Sequence, residues 1–157
     1  MVHRFGFLFR AVIIRELGLV DIPNLVLSIV KLKWGKRGSS NAPTKDWKMD
    51  YMYVPSRYLK ESLSLIFATN ILQTNTADRT FLSIGLGAGA VNGFIHEKLK
   101  DVNIKIVEID PAILNVAKKY FSYADDDTQQ CIIKDGKIFL QESVQNGLCF
   151  AFFFLLY

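Results

Sequence analysis

The chain has 157 residues, 50% hydrophobic, 22% charged and 13% aromatic, with a formal net charge of +4. That much apolar material excludes intrinsic disorder. Ten Gly, four Pro and two Cys exclude collagen-like and disulfide-stapled classes.

The length suits one domain with its own core. Charge is uneven: residues 1–60 hold eleven Lys/Arg against four Asp/Glu, a net of +7, and the remainder carries −3. A basic front half is a candidate face for nucleic acid or another anionic partner. A solvated lysine-rich surface is the simpler account, since no aromatic-interleaved RNA motif accompanies it. Cys131 and Cys149 form neither a zinc pattern nor a disulfide framework. As free thiols they suit a reducing compartment, and a cytoplasmic location is expected. His3 and His96 stand alone, so no metal site is expected.

Taken in chain order, residues 1–15 have an apolar stretch interrupted by Arg10 and Arg15, without a small-x-small cleavage site. They read as a folded strand or helix rather than a leader. Residues 22–32 (IPNLVLSIVKL) read as a strand. Residues 31–48 are rich in Gly, Ser, Pro and Lys and read as a long basic loop flanked by Trp34 and Trp47. Such tryptophans stack on a base or, more simply, anchor the loop. Pro55 is expected to open a helix whose apolar face is Tyr58, Leu59, Leu63, Ile66 and Phe67. Residues 70–78 are turn-like.

From residue 80 strands and helices alternate, which predicts a parallel sheet with helices on both faces. Residues 80–84 (TFLSI) are a strand, followed by Gly85-Leu-Gly-Ala-Gly-Ala90 and a helix with face Val91, Phe94, Ile95 and Leu99. Residues 104–109 (IKIVEI) form a second strand. Asp110-Pro111 then caps a helix, because Asp accepts free first-turn N–H groups and Pro needs none. Its face is Ile113, Leu114, Ala117, Tyr120 and Phe121. Asp125, Asp126 and Asp127 read as a solvated loop. Residues 130–134 are a third strand ending at Asp135-Gly136, residues 138–144 a helix, and residues 149–156 a fourth strand. The apolar run at residues 148–157 is too short to span a bilayer.

Three strand ends carry the chemistry. Gly85, Gly87 and Gly89 let the backbone turn sharply and let a ligand approach the main chain and the helix N-terminus. Glu108 closes the second strand, where a carboxylate accepts from both hydroxyls of a ribose. Asp135 closes the third, where an acceptor meets an exocyclic amine. Together they favour adenosine binding. The same loop fits the dinucleotide fingerprint with Ala90 in its last position, so a nicotinamide-dependent oxidoreductase is an alternative.

Leu82-Ser-Ile-Gly-Leu-Gly-Ala-Gly89, Val107-Glu-Ile-Asp-Pro111 with Ala117-Lys-Lys-Tyr-Phe121, and Lys134-Asp-Gly136 lie in register over about 60 residues. This pattern resembles the class I S-adenosylmethionine-dependent methyltransferase fold, and within it the spermidine-synthase-like branch. That branch holds polyamine aminopropyltransferases and protein methyltransferases of the methyltransferase-like 13 kind, which act on a translation elongation factor. The resemblance implies an α/β, Rossmann-like, doubly wound and mostly parallel sheet, here with a short N-terminal β/α extension. It implies S-adenosylmethionine as cofactor: Glu108 on the ribose, Ile109 against the adenine, Asp135 and Gly136 at the adenine amine, and Gly85, Gly87 and Gly89 beneath the methionine portion. It assigns no catalytic residue.

Two departures from the branch shape the expected function. Tyr58-Leu-Lys-Glu61 lacks the histidine that aminopropyltransferases carry ahead of the glycine motif, and residues 148–157 lack the acid expected near Phe153. Holding a cationic amine needs that carboxylate. The expectation is therefore a methyltransferase directed to a protein substrate. The alternatives are a truncated or degenerate non-catalytic relative, an aminopropyltransferase and the oxidoreductase. The organisation reads as an extension over residues 1–48 and a cofactor-binding domain over 49–157, incomplete at its C-terminus because a seven-stranded sheet needs further strands at about 30 residues per strand–helix–strand unit.

Overall fold

The computed structural model describes residues 2–5, 12–33, 47–54, 56–69, 80–148, 150 and 152–155. Trp34, Pro55, Cys149 and residues 70–78, each given a reading above, lie outside them.

The first four strands are β1 (Val2–Phe5), β2 (Val12–Gly18), β3 (Val26–Leu32) and β4 (Met49–Asp50), and they form one antiparallel sheet in chain order. This N-terminal extension has no helix among its described residues. Strand β3 begins at Val26, four residues later than expected. Residues 19–25 instead turn the chain, with Asn24 at φ 70° and the Leu25 amide donating to the Ile22 carbonyl at 3.2 Å. Asn tolerates that left-handed backbone better than its neighbours Pro23 and Leu25 would. In β2 the inward positions are Ile13, Arg15 and Leu17, so the sequence buries an arginine between two apolar side chains.

Helix α1 (Arg57–Ala68) follows. Ser56 caps it, its hydroxyl accepting from the Leu59 amide at 3.4 Å, so the helix starts directly after the cap. Leu63 and Ile66 carry the buried face, whereas Tyr58 is 59% exposed and falls off the expected stripe.

The second sheet is wholly parallel. It contains β5 (Thr80–Ile84), β6 (Asn103–Glu108), β7 (Gln129–Ile133) and β8 (Phe152–Leu155), in the spatial order β7-β6-β5-β8. Helices α2 (Ala90–Lys98), α3 (Pro111–Tyr120) and α4 (Gly136–Gln145) connect them. The chain steps outward from β5 to β7, then returns to pair β8 on the other side of β5. That reversal makes a topological switch point, outside whose strand ends ligands bind in open α/β sheets. Asp110 caps α3 through the Ala112 amide with Pro111 in its first turn, as the sequence predicts. Strand β6 ends at Glu108, which leaves Ile109 outside the sheet and 66% exposed.

Asp125 and Asp126 are more than a solvated loop. Asp125 accepts from the Tyr123 hydroxyl and the Cys131 amide, each at 2.8 Å, and pairs with Lys118 at 2.7 Å. Asp126 accepts from Thr128 and Gln129 and pairs with His96 at 2.9 Å. Partial burial pushes each carboxyl up, but these donors outweigh it and hold both below the usual range.

Two cores hold the molecule. One lies under the parallel sheet and includes Phe81, Ile95, Ile104 and Ile106. The other joins the N-terminal sheet (Ile13, Val30, Leu32, Trp47, Tyr51) to Ala88, Ala90 and Phe121. Trp47 is therefore buried, an anchor with no face free to stack on a base. Two polar contacts lock this joint. The Arg15 guanidinium donates to the Tyr120 carbonyl, and the Tyr51 hydroxyl donates to the Phe121 carbonyl. Both carbonyls belong to the unpaired end of α3, where a cation also suits the helix dipole. The Tyr51 ring fits against α2 because residue 93 is glycine: a Cβ there would lie 2.5 Å from the Tyr51 Cδ1.

Gly93→Ala tests that notch. Alanine is the better helix former by about 1 kcal/mol, yet overpacking the buried ring is expected to lower net stability by about 1–2 kcal/mol in urea unfolding. In a Tyr51→Ala background the same substitution is expected to become neutral or stabilising.

Candidate functional site

A cavity of about 810 Å³ opens at the carboxyl ends of the parallel strands. Its floor is the end of β5 and the following loop (Ile84, Gly85, Leu86, Gly87), the end of β6 (Val107, Glu108, Ile109) and Gly136 after β7. Its opposite wall comes from the N-terminal sheet, through Val26, Leu27, Ser28 and Ile29 of β3, with Tyr58 and Leu59 from α1.

The glycine loop has the backbone its sequence requires. Gly85, Gly87 and Gly89 hold φ of 92°, 54° and 70°, a region other residues rarely enter. The Gly85 amide donates to the Val107 carbonyl at 2.7 Å, tying the loop to β6. Gly89 is the N-cap of α2, and Gly85 and Gly87 line the cavity.

Glu108 is 7% exposed, and both of its carboxylate oxygens are engaged. Oε2 accepts from the Leu86 amide at 2.9 Å and Oε1 from the Asp110 amide at 3.0 Å. One side chain thus fixes the glycine loop and the turn after β6. Each oxygen keeps a second lone pair for a further donor. Glu108 is the one charged side chain among the described lining residues.

Asp135 has a structural role that its position alone did not suggest. Its Oδ1 accepts from the Lys137 and Ile138 amides at 2.8 and 3.1 Å, which makes it the N-cap of α4. It does not line the cavity, while its neighbour Gly136 does. A Cβ on Gly136 would lie 2.6 Å from the Ile84 Cγ2, so glycine lets α4 start close against β5. Ile109 presents an exposed apolar face at the rim. Of the seven residues singled out in the sequence, the structure brings Gly85, Gly87, Glu108, Ile109 and Gly136 to one cavity; Gly89 and Asp135 stand behind it as helix caps.

The wall from β3 and α1 had no motif to announce it. The available signal is the alternation in β3, where Ser28 continues the inward positions of Val30 and Leu32. Cys131, on β7, is half-buried; burial first, then the charges of Asp125 and Glu108, push its thiol up to about 12. Burial therefore disfavours the reactive thiolate form. Among the described residues no group of three or more His, Cys, Asp and Glu is arranged to hold a metal ion. No described helix is long and apolar enough to cross a membrane.

No protein-family model matches the chain. It is 35% identical over 66 residues to the eEF1A lysine and N-terminal methyltransferase of Xenopus laevis, covering 42% of this chain and 10% of that protein. It is 32% identical over 105 residues to the Drosophila melanogaster homolog of that enzyme, covering 66% of this chain and 16% of that protein. The chain thus spans only a small part of the length of these curated relatives. Among solved structures it resembles human methyltransferase-like protein 13 in complex with SAH, with a TM-score of 0.52 and 24% identity over 60% of this chain and 43% of that one. This likeness shows the fold: class I methyltransferase, α/β and Rossmann-like.

The Glu108 carboxylate is expected to be structural as well as ligand-facing. Glu108→Gln turns an amide N–H₂ toward one of the two backbone donors and should cost about 1–3 kcal/mol in urea unfolding. An unchanged unfolding midpoint would show that the carboxylate does not hold the loop.

Proposed function

We propose that this chain is an S-adenosylmethionine-binding methyltransferase module of the spermidine-synthase-like branch, directed to a protein substrate. One observation carries the reading: the glycine loop, Glu108 and Gly136 follow three successive parallel strands and converge on one cavity beside the switch point. The names of the relatives, protein methyltransferases acting on eEF1A, support a protein acceptor of that kind.

The residues suit such a ligand chemically. Its adenosine and amino-acid parts carry no phosphate, and no Lys or Arg appears among the described lining residues. In this reading Glu108 uses its remaining lone pairs for the ribose hydroxyls, and Ile109 covers one face of the adenine. Gly136 borders the base. Asp135 spends Oδ1 on the two capping amides of α4 and uses Oδ2 for the adenine amine. The glycine loop passes beneath the methionine portion. When bound, S-adenosylmethionine would supply an already activated methyl group, which would bond to the acceptor lone pair as the S–CH₃ bond breaks and the neutral thioether leaves. The chain's own contribution is then to position the two partners and keep water out, which supplies a large share of the barrier reduction. The free Cys131 thiol is in keeping with a reducing compartment, the cytoplasm.

The same lining argues against the alternatives. A dinucleotide would bring a pyrophosphate to a cavity whose described lining has one charge, and that charge is negative. A cationic amine acceptor would need a second carboxylate beside Glu108, and no other described lining residue offers one.

Isothermal titration is expected to show one S-adenosylhomocysteine site per chain and no NADH site. Tritiated S-adenosylmethionine is expected to label an added elongation factor in the presence of the chain. Absence of S-adenosylhomocysteine binding at millimolar ligand, with the chain folded by circular dichroism, would overturn the reading.

A further inference from the structure

Ser28 interrupts an otherwise apolar face. Along the inward side of β3, Val30 is 1% and Leu32 0% exposed, both in the core shared with Ala88 and Ala90. Ser28 occupies the same alternating register one step nearer the glycine loop. A Cβ on Gly87 would lie 3.6 Å from the Ser28 Cβ and 3.8 Å from its Oγ, so the hydroxyl sits directly beside Gly87. Both residues line the cavity.

The hydroxyl has no hydrogen-bond partner among the described residues. Other polar groups of the lining already make bonds within the chain: the Ser56 hydroxyl accepts from the first turn of α1, and Glu108 accepts from two backbone amides. Ser28 is half-buried at the cavity wall, so its hydroxyl is free to donate to an acceptor that a ligand supplies. A neutral hydroxyl beside Gly87 thus offers one donor to an acceptor atom of a bound ligand.

We propose that Ser28 is a specificity-determining residue for the amino-acid portion of the bound nucleoside. Resting on the reading given under Proposed function, its hydroxyl donates to the ligand's carboxylate above Gly87. The antiparallel sheet then takes part in ligand choice: it selects adenosyl ligands that carry the amino-acid portion over those that lack it.

The test compares S-adenosylhomocysteine with 5′-methylthioadenosine, which lacks that portion, by isothermal titration on the 157-residue chain. Ser28→Ala is expected to weaken S-adenosylhomocysteine about tenfold and to leave 5′-methylthioadenosine within about twofold, with an unchanged melting temperature. Ser28→Thr, which keeps the hydroxyl, is expected to retain the discrimination. Unchanged S-adenosylhomocysteine affinity in Ser28→Ala overturns the proposal, and so does an equal loss for both ligands. Failure of the unsubstituted chain to bind either nucleoside overturns the proposed function itself, and this inference with it.

Discussion

The geometry of the site depends on one buried carboxylate. Glu108 ends a parallel strand and receives two backbone amides, one from the glycine loop and one from the turn that starts α3. A buried charge is tolerated only when such donors satisfy it. The two amides, in turn, find in it the acceptor that the loops themselves do not provide. The glycine loop, the start of α3 and the end of β6 are thereby held as one unit. The cavity floor follows from that arrangement, because its lining is drawn from these segments and from Gly136.

The second constraint seats the antiparallel sheet over this floor. Helix α3 ends with unpaired carbonyls, as every helix does. Here Arg15 and Tyr51 close them from the N-terminal residues, and Phe121 joins the core that those residues form. The buried arginine is thus explained by its partner: its stem lies between Ile13 and Leu17, and its head reaches a helix end that favours a cation. Through these contacts and the Gly93 notch, β3 lies close enough for Ser28 to face Gly87.

How much of this was legible in the sequence depends on how local each feature is. The β5 strand, the glycine loop, the Asp110-Pro111 cap and the alternation of strands and helices are written in short runs, and the structure places them where the sequence did. Glu108 could be located by its strand-end position, but its two amide partners could not, because Leu86 lies 22 residues away in the chain. Asp135 shows the limit from the other side. Its place after a strand points to a ligand contact, but not to the α4 cap that its Oδ1 forms, a role that Asp before a helix often takes. The wall formed by β3 and α1 left no motif, since a wall is a matter of which surfaces pack and not of residue spacing. Trp47, Tyr51 and Gly93 belong to that same non-local packing.

The central claim is that two sheets, one antiparallel and one parallel, build a single adenosyl-ligand cavity. Hydrogen exchange followed by mass spectrometry, with and without saturating S-adenosylhomocysteine, tests it most directly. The account predicts slowed amide exchange both in residues 85–89 and in residues 26–29 when the ligand is present. Protection confined to residues 85–89, with residues 26–29 unchanged, would contradict it.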